Sequence, residues 1–283
     1  MIGTVVAIQC GIYSVEVDGV IYQTSPRGLF RMKHQKVVVG DKVILDETNF
    51  IITDVLKRSS FIKRPCLANA EQMILVFSLV EPEFSYFLAC KYLTYANSLG
   101  IKAKLVLTKS DRVKDKKEID EIINNFNKIG IETYVISSKS KEGIDTVRSL
   151  FRNNISCLLG QTGVGKSSLL NSIDEDFARE IGEYSKALGR GKHQTKEVVL
   201  LPFNGGYIAD TPGFSSLELD LSKREISKCF PGMEKASLEC YFSDCLHVSE
   251  GKCAVKKLVE EGNIPSIIYE SYLQLLKESD LNG

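Results

Sequence analysis

The stretch of residues 160–167 constrains the fold of this chain more than any other. It reads Gly-Gln-Thr-Gly-Val-Gly-Lys-Ser, which matches the P-loop pattern G-x-x-x-x-G-K-S. The apolar residues 155–159 precede it and residues 168–173 follow, which predicts the strand–loop–helix arrangement that the motif requires. Its glycines let backbone N–H groups surround phosphate oxygens, and a helix N-terminus adds partial positive charge. The sequence therefore predicts a phosphate-binding loop; the alternative is a glycine-rich turn that matches by chance.

Two side chains at the end of this loop carry chemistry. Lys166 is placed to reach the β- and γ-phosphates of a nucleotide, and the Ser167 hydroxyl is placed to ligate Mg²⁺. We expect the whole loop and the residue after it to contact the nucleotide: Gly160, Gln161, Thr162, Gly163, Val164, Gly165, Lys166, Ser167 and Ser168.

Three other short strings follow predicted strands. In the first, Asp210-Thr-Pro-Gly213, Asp210 would hold Mg²⁺ through water and the Gly213 N–H would sense the γ-phosphate. The second runs Thr108, Lys109, Ser110, Asp111. Its last carboxylate can accept from N1–H and the N2 amine of guanine, and the stem of Lys109 can cover the base. The third, Ser137, Ser138, Lys139, can offer a backbone N–H to guanine O6.

Together the four strings predict a GTP site, because each lies where a strand of an α/β sheet ends and ligands bind. An ATP-dependent kinase is the less favoured alternative, since adenine lacks the donors that Asp111 would accept. The order of the strings is unusual: those for the base precede the P-loop, whereas guanine nucleotide-binding proteins normally begin with the P-loop. This order predicts a circularly permuted GTPase domain.

Residues 1–64 have an all-β pattern, with strands predicted at residues 4–8, 12–17, 37–39, 42–45 and 50–55. Five short strands favour a small OB-fold barrel. Two stretches of this segment, residues 27–36 and 57–64, are basic and contain no acidic residue. Basic loops on such a barrel suit an RNA backbone, and the candidates are Arg27, Arg31, Lys33 and Lys36. A solvated charged loop is the alternative.

Residues 65–218 are predicted to alternate between strands and helices. Strands are predicted at residues 72–80, 101–107, 132–136, 155–159, 197–203 and 207–209, and helices at 84–99, 115–129 and 144–151. This alternation predicts an α/β domain with a mostly parallel sheet covered by helices. Residues 219–283 read as short helices around a cysteine cluster, ending in an amphipathic run at 264–276.

The cluster Cys240-x4-Cys245-x-His247-x5-Cys253 predicts a metal site. Three thiolates and one imidazole form a closed set of soft ligands, which suits one tetrahedral, structural Zn²⁺. The chain has eight cysteines and three histidines, so a histidine within this cluster is informative. Buried cysteines without a metal are the alternative.

Composition limits the classes further. The chain has 283 residues, 43% hydrophobic and 25% charged, with 36 basic and 36 acidic residues. The balanced charge gives no general sign of a polyanion partner, so local basic stretches matter. The start lacks the pattern of a signal peptide, and no apolar run is long enough for a membrane helix. We expect a cytoplasmic protein that does not contact membranes.

The permuted strings, the β-barrel before them, the Cys/His cluster after them and the linker at residues 64–72 (Arg-Pro-Cys-Leu-Ala-Asn-Ala-Glu-Gln) resemble the ribosome small-subunit-dependent GTPase family (RsgA/YjeQ). The resemblance implies an OB-fold at 1–64, a permuted GTPase domain at 65–218 and a zinc domain at 219–283. It implies GTP hydrolysis stimulated by the small ribosomal subunit during its late maturation, with contacts to rRNA. A monomer suffices for that role. An rRNA-binding module gated by GTP or GDP, with incidental turnover, is the alternative.

Three positions depart from what the resemblance and other GTPases imply. Thr108 replaces the usual asparagine of N-K-x-D, so the supporting amide contact to the base and the P-loop is either missing or replaced by a hydroxyl. Gln194 replaces a threonine in the switch string, which leaves Thr195 as the candidate for closing on Mg²⁺. Phe214 occupies the position where many GTPases have a water-orienting glutamine, so intrinsic hydrolysis should be slow.

A group from elsewhere must then position the water. Our catalytic hypothesis is His193, which lies in a glycine-rich, basic segment and would swing in when the ribosomal subunit docks. A surface histidine or a contact to an RNA phosphate is the alternative.

Overall fold

The computed structural model describes residues 1–25, 36–174, 198–210, 217 and 219–281. The chain divides into two compact units, each built from separate stretches. The first contains residues 1–72, 148–158 and 173–213, and the second contains residues 73–147, 159–172 and 214–283.

An antiparallel five-stranded sheet opens the first unit, in the order β3-β2-β1-β4-β5. Its strands are β1 (Ile2–Gln9), β2 (Ile12–Val17), β3 (Val20–Thr24), β4 (Lys42–Leu45) and β5 (Ile52–Val55). The two ends of this order approach each other, because the Ile52 amide donates to the Ser25 carbonyl over 3.2 Å. Inward-facing side chains, among them Val5, Val43 and Leu45, form a buried core. The arrangement is a partly open barrel, which confirms the predicted OB-type domain.

Two predicted details of this barrel are wrong. The strand β3 was not predicted, although it pairs in register with β2 after the turn at Asp18 and Gly19. Residues 37–39 were predicted as a strand, but Val39 forms an isolated bridge with Leu67, and the Val38 amide donates to Asp41 Oδ2. An apolar run of valines indicates burial, and these three are buried, but it does not show whether their backbone joins a ladder.

Among the described residues, the α/β part of the chain contains six strands: β8 (Gln72–Ser78), β9 (Lys102–Thr108), β10 (Thr133–Val135), β11 (Ile155–Leu159), β12 (Val199–Phe203) and β13 (Gly206–Asp210). Before them, β6 (Phe61–Ile62) and β7 (Leu67–Ala68) form a short hairpin. In the second unit the order is β10-β9-β8, and in the first unit it is β11-β13-β12. β9 and β10 are parallel, as are β11 and β13, and β12 is an antiparallel edge. The predicted mostly parallel sheet is confirmed.

The helices follow the predicted pattern: α1 (Tyr86–Ser98), α2 (Lys116–Lys128), α3 (Ile144–Leu150), α4 (Lys166–Ile173), α5 (Lys223–Cys229), α6 (Glu234–Ser237), α7 (Ala254–Glu260) and α8 (Ser266–Leu281). Ser85 and Asp115 cap the starts of α1 and α2 through their side chains. Gly100 follows α1 with a φ of 66°, the left-handed conformation expected there. Within the second unit α8 packs on α1, where Lys91 pairs with Glu278. Among the described helices, none is both long and apolar enough to cross a membrane.

Candidate nucleotide and metal sites

The predicted P-loop lies between β11 and α4, which confirms the strand–loop–helix arrangement. Gly160 has a φ of 152°, and a Cβ atom there would lie 2.2 Å from the Val76 carbonyl oxygen. Such a contact is impossible for any residue with a side chain unless the backbone moves, so glycine is required. The loop therefore packs its first residue directly against the backbone of β8.

Lys166 lies within the curve of this loop. Its Nζ donates to the carbonyl oxygen of Gly160 over 2.5 Å and to that of Gln161 over 2.7 Å. Burial lowers the pKa of Lys166 below its ordinary value, because a partly desolvated ammonium loses hydration. An anion held in the loop would offset that loss. Ser167 and Ser168, in the first turn of α4, are exposed, so their hydroxyls are accessible.

The base string starting at Thr108 is tied to the P-loop by two side chains. Thr108 is 3% exposed, and its hydroxyl donates to the Val164 carbonyl oxygen over 2.5 Å. Lys109 has a φ of 62°, and its Nζ donates to the carbonyl oxygens of Gly163, over 2.9 Å, and Glu81. Of the two possibilities left open for Thr108, the structure shows the second at the P-loop, where a hydroxyl stands in for the amide.

The two base strings also contact each other. The Ser137 hydroxyl donates to Asp111 Oδ1 over 2.7 Å and accepts from the Ser140 amide over 3.1 Å. The Ser110 amide donates to the Ile136 carbonyl oxygen over 3.3 Å. Ser137 is fully buried whereas Asp111 is exposed. A buried donor therefore orients one carboxylate oxygen of Asp111, and the side chain as a whole stays accessible to a ligand.

The neighbours of this pair complete the predicted base site. Ser138 is half-buried and Lys139 is exposed. Among the described residues, the Ser110 hydroxyl stands out because it is buried with no hydrogen-bond partner.

Several predicted site residues lie outside the described residues. Asp210 ends β13, but its side chain is not described. The other predicted residues outside the described ranges are Gly213, His193 and Thr195. Gln194 and Phe214 likewise lie outside the described residues. Their roles stay predictions.

The four predicted metal ligands come together in the second unit, with ligand atoms all within 4.8 Å of one another. The Cys240 Sγ lies 3.8 Å from the Cys253 Sγ, and His247 Nδ1 lies 3.6 Å and 3.4 Å from these two sulfurs. For tetrahedral Zn²⁺, bond lengths of about 2.3 Å to sulfur and about 2.0 Å to nitrogen imply edges of about 3.8 Å and 3.5 Å. The residues therefore fit a tetrahedral metal ion, with Nδ1 as the imidazole ligand.

The outer contacts of this cluster orient the ligands. His247 has a φ of 57°, and its Nε2 lies 3.2 Å from the Ser227 carbonyl oxygen, which fixes the ring as metal-bound histidines require. From α8, the Tyr269 hydroxyl donates to the His247 carbonyl oxygen and the Tyr272 hydroxyl to the Leu246 carbonyl oxygen, each over 2.6 Å. The sequence analysis missed both tyrosines; their spacing of one helical turn in the amphipathic run was the available signal.

Burial affects the ligands as well. It raises the pKa of Cys245 to about 12 and also raises that of Cys253, while it lowers that of His247. The lowered pKa favours the neutral imidazole, which is the form that binds a metal, whereas the thiols must lose their protons to solvent when they bind one.

The predicted RNA-binding residues are mostly outside the described residues, which include Lys36 but not Arg27, Arg31 and Lys33. Lys36 is exposed, as are Lys57, Lys63 and Arg64 of the second basic stretch.

Arg58 of that stretch differs from its neighbours. Its Nε and Nη2 donate to the two oxygens of the fully buried Asp41 over 2.7 Å and 2.8 Å, and its guanidinium lies 4.8 Å from the centre of the Phe61 ring. This arginine stabilises the barrel, which sequence analysis could not distinguish from a surface contact.

Comparison with known proteins identifies the family. The family model described as RsgA GTPase matches residues 53–220, and that described as RsgA N-terminal domain matches residues 2–50. The chain belongs to the RsgA GTPase family. The resemblance seen in the sequence is therefore confirmed, and the two family models together cover the barrel and the α/β part.

Named members of the family are similar over nearly their whole length. A protein of Geobacillus sp. (strain WCH70) named small ribosomal subunit biogenesis GTPase RsgA is 40% identical over 98% of this chain and 96% of its own. A Staphylococcus epidermidis protein of the same name is 39% identical over the same shares.

Two solved structures share the fold. The crystal structure of YjeQ from Thermotoga maritima has a TM-score of 0.85 at 32% identity, covering 98% of both chains. The structure of YloQ, described as a circularly permuted GTPase, has a TM-score of 0.84 at 31% identity, covering 100% of this chain and 96% of that one. The permuted order predicted from the strings is thus confirmed.

Proposed function

We propose that this protein hydrolyses GTP to GDP and phosphate and acts in biogenesis of the small ribosomal subunit. The observation that carries the GTP assignment is the joining of both base strings to the P-loop within one unit: Thr108 bonds Val164, and Ser137 bonds Asp111. The ribosomal role is supported by the names of relatives that match over the whole chain.

Each part of the nucleotide has a proposed partner in this site. The amides of the P-loop and Lys166 bind the phosphates, Asp111 accepts from N1–H and the N2 amine of guanine, and the backbone at Ser138 and Lys139 donates to O6. Ser167, Thr195 and Asp210 would hold Mg²⁺, which neutralises charge on the β- and γ-phosphates. The exposed hydroxyl of Ser167 at the start of α4 fits that role.

Hydrolysis requires a positioned water, and Phe214 cannot hydrogen-bond to one. We assign this task to His193 and expect the docked ribosomal subunit to bring it into place, late in maturation of the subunit. Basal turnover is then slow and turnover with the subunit is fast. A gated rRNA-binding module with incidental turnover predicts no such stimulation.

The remaining parts of the chain have supporting roles. The barrel at residues 1–64 binds rRNA through Arg27, Arg31, Lys33 and Lys36, the GTPase domain spans residues 65–218, and residues 219–283 fold around one structural Zn²⁺. Zinc is the metal assigned because three thiolates and one imidazole leave no open position and suit a soft, tetrahedral ion. The protein acts in the cytoplasm as a monomer.

Competition binding tests the nucleotide assignment. A fluorescent GDP analogue bound to the full-length protein should be displaced by GTP and GDP but not by ATP at equal concentration. Asp111→Ala should abolish this selectivity, whereas Asp120→Ala, an exposed aspartate on α2, should leave it intact. Equal displacement by ATP would contradict the assignment.

A further inference from the structure

The hydroxyl of Thr108 has a single proton, which is already donated in a hydrogen bond within the protein. Its oxygen lies 2.5 Å from the Val164 carbonyl oxygen and 3.3 Å from the Phe77 carbonyl oxygen, and both neighbours are acceptors. A hydroxyl can donate only one hydrogen bond. Because Thr108 is only 3% exposed, water does not compete for this hydrogen bond, and the hydroxyl continues to donate to the Val164 carbonyl oxygen of the P-loop.

The asparagine that usually stands at this position differs in the number of its donors. A side-chain amide carries two N–H groups, so it can satisfy a P-loop carbonyl and still donate to an acceptor on the base. Guanine presents two such acceptors on one edge, N7 and O6. Lys109 is not free to take over this role, because two of the three N–H groups of its Nζ hold the ammonium against the carbonyl oxygens of Gly163 and Glu81.

We infer that this protein does not read the N7 atom of guanine, and that Thr108 is a positioning residue that joins the base string to the P-loop. Selectivity then rests on the opposite edge of the base, at Asp111 with Ser137 behind it. The inference rests on the proposed GTP site and adds that guanine nucleotides lacking the N7 acceptor are accepted ligands.

The direct probe is 7-deaza-GDP, in which carbon replaces N7 and the acceptor is lost. Dissociation constants of GDP and 7-deaza-GDP would be measured by calorimetry with the full-length wild-type protein and three variants. For the wild type, we expect the two constants to agree within about twofold, because no hydrogen bond is lost.

The variants separate the base contact from the P-loop contact. Thr108→Asn supplies a second donor, so it should prefer GDP over 7-deaza-GDP by about fivefold, the share of one neutral hydrogen bond. Thr108→Val leaves the buried Val164 carbonyl without its donor and should weaken both ligands alike by about tenfold. Thr108→Ser keeps the hydroxyl and should bind both as the wild type does. If the role of position 108 were purely structural, the variants would change affinity, but none would change the ratio of the dissociation constants of 7-deaza-GDP and GDP.

Two results would overturn the inference. The first is a wild-type preference for GDP of fivefold or more; loss of that preference in Ser110→Ala would then assign N7 to the buried, unpartnered Ser110 hydroxyl. The second is a Thr108→Asn variant that folds and binds GDP without discriminating. Failure of the wild type to bind GDP or GTP at all would instead contradict the proposed function, and this inference with it.

Discussion

The Ser137 hydroxyl donates to Asp111 Oδ1 over 2.7 Å, although the two residues come from different strings 26 positions apart. Ser137 is fully buried and Asp111 is exposed, so the donor that orients the carboxylate is enclosed by the protein and is itself hydrogen-bonded to the Ser140 amide. A carboxylate oriented in advance loses less entropy when a base binds, and this strengthens binding.

Removing that donor should therefore weaken guanine binding specifically. We expect Ser137→Ala to raise the dissociation constant of GDP by about tenfold, because Asp111 loses a charge-assisted hydrogen bond worth about 1.5 kcal/mol. The matched control is Ser140→Ala, which keeps the backbone amide that contacts Ser137. Equal affinities in calorimetry for Ser137→Ala and the wild type would show that Asp111 needs no support.

Loss of a metal ligand should unfold the end of the chain. Cys253→Ser changes a buried ligand, whereas Cys66→Ser changes an exposed cysteine that is not one of the four ligands. We expect the first variant to purify without the proposed zinc, measured by mass spectrometry, and to lose amide protection across residues 240–253 in hydrogen exchange. The second should retain one equivalent. Full protection of that loop without metal would contradict a structural role.

The tyrosines of α8 should stabilise the metal loop without touching the metal. Tyr272→Phe removes the hydroxyl that donates to the Leu246 carbonyl oxygen over 2.6 Å. We expect the free energy of unfolding to fall by about 1 kcal/mol, since that half-buried acceptor loses its donor. Tyr241→Phe is the control, because Tyr241 is 69% exposed. Urea unfolding would measure both, and equal stabilities would contradict the role of Tyr272.

Arg58 should matter for folding and its neighbour Lys57 should not. Arg58→Ala leaves the fully buried Asp41 without its bidentate partner, which should cost about 3–5 kcal/mol of unfolding free energy. Arg58→Lys should recover only part of it, because an ammonium cannot form the fork. Lys57→Ala, at an exposed position, should change stability by less than about 0.5 kcal/mol. Thermal unfolding would measure the three variants, and an unchanged melting temperature for Arg58→Ala would show that the ion pair is dispensable.

The elements that sequence analysis predicted well are those with strong local signals. The P-loop, the capped helices α1 and α2, and the spacing of the four metal ligands are each written in a short stretch. Their geometry follows from local rules about glycine, capping side chains and ligand chemistry.

The features it missed depend on contacts between distant residues. Arg58 and Asp41 are 17 positions apart, and nothing near Arg58 distinguishes a buried ion pair from a surface charge. The tyrosines of α8 act on a loop more than 20 positions away. The three valines at residues 37–39 give the converse error, because burial alone was taken as evidence for a strand.

Release of phosphate from GTP, with and without purified small ribosomal subunits, tests the central claim most directly. The wild type should be slow alone, strongly stimulated by the subunit and inactive on ATP. Lys166→Ala should remain inactive under all conditions, because the loop loses its cation. A turnover rate that the subunit leaves unchanged would contradict the account.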